Sequence, residues 1–148
     1  MNTDVITLRS AGAGDLAAVA ALLASARLPA DGLDEQFGPQ YVVAVVADEI
    51  IGAEGIERYG DTGLLRSAVV SDRWRGRGVG DLLTKNRLAW ASEQQLRELW
   101  LLTTTAEGWF PRYGFAAADR STAPPEMQQS REFRDACPSS ATAMRLVL

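Results

Sequence analysis

Apolar residues along this chain recur with two different spacings, and each spacing predicts one kind of element. Alternating or β-branched apolar runs bounded by Gly, Asp or Pro are typical of strands. Such runs predict strands over residues 5–9, 41–47, 50–59, 64–70, 99–103, 115–119 and 142–148. Apolar residues three and four positions apart are typical of helices. This spacing predicts helices over 15–27, 80–93 and 106–113, and an inserted helix near 126–136 that packs over the end of the sheet.

The order of these elements predicts how the strands pair. Short turns join the three strands between residues 41 and 70, which indicates an antiparallel meander. The helix over 80–93 links the strand 64–70 to the strand 99–103, which indicates a parallel, right-handed crossover. The inward face of that helix is predicted to carry Val79, Leu82, Leu83, Asn86, Ala89 and Trp90. The result is an α/β fold with a mixed central sheet of about six to seven strands flanked by helices.

A glycine-rich run lies between the strand 64–70 and the helix that follows it. Its sequence is Arg75-Gly76-Arg77-Gly78-Val79-Gly80. Glycine tolerates the tight turn and the close backbone approach that such a loop needs. The first N–H groups of the helix lack intrahelical partners, and the helix dipole adds positive potential there. The run therefore predicts a binding site for a phosphate or pyrophosphate group.

Composition narrows the classes of function. The 148 residues, 47% of them apolar, indicate one domain over 1–148. A formal charge of −4 argues against general binding of nucleic acid or of an anionic membrane. With one cysteine and no histidine, neither a disulfide framework nor a metal site is expected, and acid–base chemistry falls to carboxylates, tyrosine, water or the backbone. The N-terminus lacks a signal pattern, so a cytoplasmic location is expected.

The glycine run also carries a resemblance to a known family. Read from Arg75, it is R-x-x-G-x-G, with no Gly-Lys-Ser/Thr and no G-x-G-x-x-G. It resembles the cofactor-binding motif of the GNAT family, the acyl-coenzyme A-dependent N-acetyltransferases, and the predicted order of elements matches that family from end to end. The stretch 109–115 is similar to the family's Phe-Tyr-x-x-x-Gly-Phe. The resemblance implies the GNAT fold, acetyl-CoA as cosubstrate without a metal, and direct transfer of the acetyl group to an amine.

A closer resemblance covers four further blocks. The blocks 57–61, 63–67, 101–107 and 137–141 look like the GNAT subgroup named for arsenic-resistance operons. This likeness implies that the acceptor is the primary amine of a small, amino-acid-like molecule, such as an arsenical or another glutamate mimic. Homodimers are common in the family. Two alternatives stay open, namely a non-catalytic acetyl-CoA sensor and an enzyme that acetylates protein or peptide amines.

The resemblance assigns the cofactor-binding residues. The pantetheine arm is expected to bond to the backbone of Ala68, Val69 and Val70 between splayed strands. The pyrophosphate is expected on the N–H groups of Arg75, Gly76, Arg77, Gly78, Val79, Gly80 and Asp81. The side chain of Arg75 either contacts the ligand or is structural.

Candidate catalytic and substrate residues lie on the predicted strands. Glu54 and Glu57 have opposite side-chain parity, so at most one of them is expected to face the pocket. Glu57, which shares a face with Tyr59, is the predicted general base; a solvated or salt-bridged carboxylate is the alternative. Arg66 lies in a strand expected to be buried, so it needs a partner. Either it pairs with Glu57, or it holds an anionic group of the substrate.

Three further positions bear on the chemistry. Thr104 and Thr105, with Tyr59, are predicted to contact the substrate, although strand propensity alone would also explain the threonines. Many GNAT enzymes have a tyrosine general acid where this chain has Phe110. The acid is then water, Tyr59 or none. Cys137 could bind a soft arsenical, but a lone cysteine is more often a core residue.

Overall fold

A computed structural model describes residues 5–136 and 140–148. Within these residues, seven strands form one mixed sheet in the order β1-β2-β3-β4-β5-β7-β6. The strands are β1 (Thr7–Ser10), β2 (Tyr41–Val46), β3 (Glu49–Tyr59), β4 (Thr62–Val70), β5 (Glu98–Thr103), β6 (Ala116–Ala117) and β7 (Thr142–Val147). The α-helices are α1 (Leu16–Ser25), α2 (Val79–Glu93) and α3 (Pro125–Gln128). The predicted α/β fold with a mixed sheet flanked by helices is confirmed.

Tight turns hold β2, β3 and β4 together as the predicted antiparallel meander. The turn between β2 and β3 has Ala47 and Asp48 at φ values of 48° and 64°. Two central residues at positive φ are typical of the turns that suit the twist of a two-residue hairpin. Gly60, at φ 66°, takes the same left-handed region in the turn between β3 and β4.

The strands β4 and β5 pair in parallel, as predicted for a crossover through α2, but only over a short stretch. Their register joins Thr62 to Glu98, Gly63 to Leu99 and Leu64 to Trp100. Beyond these three pairs, neither strand pairs with the other, although β4 continues to Val70 and β5 to Thr103. A gap therefore opens between two neighbouring strands in the middle of the sheet.

Two apolar layers cover the two faces of the sheet. On one face, α1 packs Val19 and Leu23 against residues that include Tyr41 and Val43. On the other face, Ala91 of α2 joins residues that include Ile56, Leu65 and Leu99. We call these the α1 face and the α2 face. No helix in the described ranges is long and apolar enough to span a membrane.

The inward face of α2 differs from the prediction. Its buried residues are Val79, Leu83, Thr84, Arg87 and Ala91, whereas Leu82 is 43% exposed. A hydrophobic pattern could not identify this face because two of its members are polar. Both have partners: Thr84 donates a hydrogen bond to Glu54 (2.8 Å), and Arg87 donates one to the carbonyl oxygen of Gln40 (2.7 Å).

The predicted helix over 106–113 is also wrong. The structure has only a 3-10 turn at Phe110–Tyr113, which ends at Gly114 in the left-handed conformation (φ 98°). Pro111 has no N–H group to donate to the preceding turn, so a regular α-helix is not continued through it. The predicted strand over 115–119 is shortened to the two residues of β6.

The inserted segment is less regular than the predicted helix over 126–136. It consists of α3 and a π-helical turn at Glu132–Ala136. Met127 and Phe133 are buried against Leu64 and Trp100, so the segment does pack on the sheet as predicted. Cys137 lies outside the described residues.

Candidate active site

A cavity of about 810 Å³ occupies the gap between β4 and β5. It runs from the glycine loop before α2 to residues 27–29 after α1, so residues from both faces of the sheet line it. Predicted site residues on its wall are Arg66, Ala68, Val69, Val70, Arg75, Gly76, Gly78, Val79, Gly80, Asp81, Thr104 and Thr105. Glu57, Tyr59 and Arg77 do not line it, whereas Glu54 does.

The glycine loop takes a conformation that depends on its glycines. Gly76 and Gly78 have φ values of 76° and 83°, and Gly78 is the N-cap of α2. A Cβ added to either residue would meet no atom within 4 Å. The glycines are thus required by the left-handed backbone rather than by crowding. The open space over the loop adjoins the first turn of α2, whose N–H groups have no intrahelical acceptors.

Both arginines of the loop have local partners. Arg75 Nε donates a hydrogen bond to the carbonyl oxygen of Val70 (3.3 Å), and Arg75 Nη1 lies 3.3 Å from a carboxylate oxygen of Asp72. The Arg77 guanidinium lies 4.9 Å from the ring centroid of Trp74. The Arg75 side chain was predicted either to contact the ligand or to be structural. The two contacts of Arg75 correspond to the structural role. Both guanidinium groups still add positive charge near the loop.

Asp81 in the first turn of α2 is also engaged. Tyr113 donates a hydrogen bond to Asp81 Oδ1 (2.6 Å), and Lys85 forms an ion pair with Oδ2 (3.0 Å). The hydrogen bond from Tyr113, followed by that from Lys85, holds the pKa of Asp81 below its ordinary value. This network ties the 3-10 turn at 110–113 to the start of α2 at one wall of the cavity.

The wall formed by β4 is irregular. Ala53 on β3 pairs with Val69 and Gly55 pairs with Arg66, so β4 has one residue more than β3 between these pairs. Ser67 within this bulge has φ 59°. A bulge leaves backbone groups outside the regular ladder, and it bends the strand. On its other side, β4 has no pairing with β5 beyond Leu64 and Trp100, so these two strand edges can bind an extended chain that carries amide groups.

These features fit coenzyme A. The loop and the start of α2 provide N–H groups and positive potential for a pyrophosphate. The separated strand edges can bond to the amides of a pantetheine arm. When bound, acetyl-CoA would supply a thioester carbonyl for attack by an amine. Among the described residues, no group of three His, Cys, Asp or Glu side chains could hold a metal ion.

Arg66 is the centre of a buried cluster on the α1 face. Its Nη1 lies 2.9 Å from Glu57, its Nε lies 3.6 Å from Glu132, and its Nε also donates a hydrogen bond to the Ser67 hydroxyl (3.0 Å). Its Nη2 is buried without a hydrogen-bond partner among the described residues. Tyr59 donates a hydrogen bond to the other oxygen of Glu57 (2.6 Å). Glu57 therefore has partners on both oxygens, and one nitrogen of Arg66 is left for a further contact.

Glu54 has a different environment on the α2 face. It is 1% exposed, and its Oε1 accepts the hydrogen bond from Thr84. Its Oε2 has no hydrogen-bond partner in the described part of the chain. Burial raises the pKa of Glu54 to about 8, although the hydrogen bond from Thr84 and the charge of Arg87 act in the opposite direction.

Several lining residues were not predicted from the sequence. Glu132 comes from the inserted segment, whose fold no family pattern indicated. Trp109 and Arg112 also line the cavity, with the Arg112 guanidinium 5.1 Å from the Trp109 ring centroid. Phe110, which the sequence had placed where many GNAT enzymes have a tyrosine acid, lines the cavity as well and packs edge-to-face on Phe115. The sequence did carry a signal for Trp109 and Arg112. Their Trp-x-x-Arg spacing places an aromatic ring and a cation about one helical turn apart, where they can interact.

Comparison with solved structures identifies similar folds. N-acetylglutamate synthase from Neisseria gonorrhoeae, solved with coenzyme A and L-arginine, is 19% identical with a TM-score of 0.80. The match covers 99% of this chain but only 34% of the synthase, so the chain spans about a third of that protein. Rv2747 from Mycobacterium tuberculosis, solved with CoA, is 23% identical over 96% of this chain and 99% of the other, with a TM-score of 0.80.

A third similar structure is Arabidopsis thaliana Naa50, solved with the bisubstrate analogue CoA-Ac-MVNAL. It is 17% identical over 97% of this chain and 99% of the other, with a TM-score of 0.70. No curated protein matches the chain. The family described as "Acetyltransferase (GNAT) domain" matches residues 38–117, a span that contains the meander, the glycine loop, α2 and β5. This match covers more than half of the chain, and the protein therefore belongs to the GNAT acetyltransferase family.

Proposed function

We propose that this protein is an N-acetyltransferase that moves the acetyl group of acetyl-CoA to the primary amine of a small, amino-acid-like acceptor. The observation that supports this acceptor is the free nitrogen of Arg66. A guanidinium that is 3% exposed, lines the cavity and lacks one partner is suited to bind a carboxylate. Glu57 fixes this guanidinium through its ion pair, and Tyr59 fixes Glu57.

The charges of the cluster favour an acceptor that is a zwitterion. The Arg66 guanidinium lies beside the carboxylates of Glu57 and Glu132, so this end of the cavity holds groups of both signs. An acceptor that carries an ammonium group next to a carboxylate complements both signs. The hydroxyl groups of Thr104 and Thr105, on the opposite wall, are proposed to bond to the same molecule.

The subgroup resemblance extends the proposal to the kind of amino acid. Glutamate mimics that contain arsenic or phosphorus are the acceptors to test first, alongside ordinary amino acids. The N-acetylglutamate synthase structures are in line with an amino-acid acceptor, since one contains N-acetyl-glutamate. A homodimer is proposed on the resemblance alone, and a cytoplasmic location on the single cysteine, which fits a reducing compartment.

The rest of the site provides binding and orientation. The backbone of Ala68, Val69 and Val70 and the N–H groups of residues 75–81 are proposed to hold acetyl-CoA. Holding the amine and the acyl donor together in this way lowers the entropic part of the barrier. That Glu57 acts as the general base stays a prediction. The two hydrogen bonds that its carboxylate already accepts favour a structural role instead.

Two alternatives are each favoured by one observation. Similarity to Naa50, solved with a peptide-bearing bisubstrate analogue, favours a peptide amine as acceptor. Phe110, which cannot donate a proton to a leaving thiolate, favours a sensor that binds acetyl-CoA without turnover. A continuous assay for released CoA with amino acids, peptides and no acceptor separates all three.

Binding is tested first by thermal unfolding with acetyl-CoA and, separately, with NAD. At about 100 times its dissociation constant, a ligand stabilises the folded state by roughly 2.7 kcal/mol. For a domain of this size, the expected rise in Tm is on the order of 5 °C. A rise with acetyl-CoA alone supports the proposal. No rise at a saturating concentration would contradict it.

The acceptor site is tested with Arg66→Lys, which keeps the positive charge beside Glu57 but loses the fork of donors. Losing a charge-assisted hydrogen bond is expected to raise KM for carboxylate-bearing acceptors about 10- to 100-fold. An amine without a carboxylate should be affected much less. Arg97→Lys, an exposed site beside Asp61 and outside the cavity, is the matched control. Equal effects of Arg66→Lys on both kinds of amine would remove Arg66 from the acceptor site.

A further inference from the structure

Glu54 is a buried carboxyl group in the cavity wall that the proposed function has not yet used. It lies on β3 between Ala53 and Gly55, the two residues whose partners flank the bulge of β4. Its side chain is directed to the α2 face, where it meets Thr84. Glu54 therefore lies beside the bulge of β4, and it lines the cavity in which the acyl donor is proposed to bind.

The two oxygens of Glu54 have unequal environments. Thr84 holds Oε1 at 2.8 Å, while Oε2 is buried with no hydrogen-bond partner among the described residues. A buried polar atom without a partner is costly, and in a native protein it calls for an explanation such as a bound ligand or a catalytic role. Glu57 offers a contrast, because both of its oxygens already accept hydrogen bonds, and it does not line the cavity.

We infer that Glu54, held by Thr84, is the group that takes the proton from the acceptor's ammonium ion. This inference rests on the proposed function. The N–H bond of the ammonium ion breaks and an O–H bond forms at Glu54, which leaves a neutral amine with a free electron pair. The amine then forms a bond to the thioester carbonyl carbon and the C–S bond breaks. The second N–H bond then breaks and its proton passes, directly or through water, to the departing thiolate sulfur, which gives the amide and the free thiol of CoA.

The surroundings of Glu54 set the pH at which it can act. Loss of solvation raises its pKa, whereas the hydrogen bond from Thr84 and the positive charge of Arg87, both on α2, lower it. Tyr113, in the 3-10 turn after β5, is a further titratable group whose charge interacts with Glu54. With a pKa of about 8, Glu54 is mostly protonated at pH 7 and becomes a competent base as the pH rises.

The test is the pH dependence of kcat/KM for Glu54→Gln, with Glu57→Gln in parallel. Gln at position 54 is isosteric and can still accept the hydrogen bond from Thr84. Because a positioned base contributes about 100- to 10,000-fold, Glu54→Gln is expected to lower kcat/KM by at least about 100-fold. It should also remove the rise in kcat/KM near pH 8. Glu57→Gln should raise KM for the acceptor, since it loosens Arg66, and should keep that rise.

A second variant tests the assignment without removing the carboxyl group. Thr84→Val keeps the size of the side chain but removes the donor that lowers the pKa of Glu54. Loss of a hydrogen bond to a charged group should move the rise in kcat/KM to higher pH by on the order of one unit. If Thr84 were only structural, Thr84→Val would lower kcat/KM at every pH and would leave the pH of its rise unchanged.

The outcomes separate this inference from the proposed function. Thermal unfolding with and without acetyl-CoA shows whether each variant folds and binds the donor. Absence of turnover in the wild-type protein with every amine would overturn the proposed function itself. Wild-type turnover with an unchanged pH profile in Glu54→Gln would overturn only the role of Glu54. If Glu57→Gln removed the rise in kcat/KM near pH 8 and Glu54→Gln did not, the proton transfer would be assigned to Glu57 instead.

Discussion

At the scale of single residues, Glu54 and Glu57 mark what the sequence could predict and what it could not. Three positions apart on β3, they have opposite parity, and the structure directs Glu54 to the α2 face and Glu57 to the cluster around Arg66. Parity follows from strand geometry alone, so one carboxylate facing the cavity was predictable. Which of the two does so depends on the helix that covers each face, and the sequence does not state this.

The burial of Glu54 makes the stability of the protein depend on pH. Its pKa in the folded state, about 8, is above its ordinary value of 4.5, so the folded protein holds a proton that the unfolded chain releases. The contribution of Glu54 to the free energy of unfolding is therefore largest below about pH 4.5, falls between pH 4.5 and 8, and changes no further above that range. The slope approaches 1.4 kcal/mol for each pH unit, to an order of magnitude.

Glu54→Gln should remove this slope, and urea unfolding at pH 6 and pH 7.5 measures it. Between these values the wild-type protein is expected to lose roughly 1–2 kcal/mol more than the variant. Glu49→Gln, at the exposed start of the same strand, is the matched control and should follow the wild type. If the wild type and Glu54→Gln lost the same free energy of unfolding between these two pH values, Glu54 would have the same pKa in the folded and unfolded states.

At the scale of elements, the glycine loop can be tested by a pair of matched glycines. Gly78 (φ 83°) lies at the cavity and Gly60 (φ 66°) lies in the turn after β3, and neither has an atom within 4 Å of an added Cβ. Gly→Ala at either position should cost about 1 kcal/mol, because alanine disfavours the left-handed region. Gly78→Ala is expected to weaken acetyl-CoA binding in addition, whereas Gly60→Ala should only lower stability.

Calorimetric titration with acetyl-CoA gives the affinity, and urea unfolding gives the stability of each variant. An equal loss of affinity in both variants would show that the effect comes through general destabilisation. Unchanged affinity in Gly78→Ala, together with the expected loss of stability, would instead show that the backbone of the loop can bind the donor without its left-handed turn.

The same elements show why some parts of the fold were predictable. The strands and the loop were predicted because β-branched runs, glycines and turn residues act locally. The inward face of α2 was not, since Thr84 and Arg87 are buried through partners supplied by β3 and by the carbonyl of Gln40, which are distant in sequence. Glu132 was missed for a similar reason, because the π-helical turn that carries it has no local signature in the sequence.

At the scale of the whole molecule, the sheet consists of two groups of strands with the cavity between them. One group is β1 to β4, and the other is β5, β7 and β6. Three residue pairs between β4 and β5 join them, and α2 follows as the crossover. A ligand that bonds to both unpaired edges would therefore couple the two groups more directly than the protein does by itself.

This arrangement predicts where acetyl-CoA will slow amide hydrogen exchange. Bonds from the ligand to the edges of β4 and β5 should protect amides in residues 65–70 and 101–103, and contacts at the loop should protect residues 76–81. Amides of β1, on the far edge of the sheet, should change little, since local openings there do not involve the cavity. Exchange with and without acetyl-CoA, followed by mass spectrometry of peptides, measures this, with NAD as the control ligand. If acetyl-CoA protected the amides of the loop but not those of the strand edges, the nucleotide part would bind while the gap between β4 and β5 stayed unfilled. Acyl transfer in that gap would then no longer be supported.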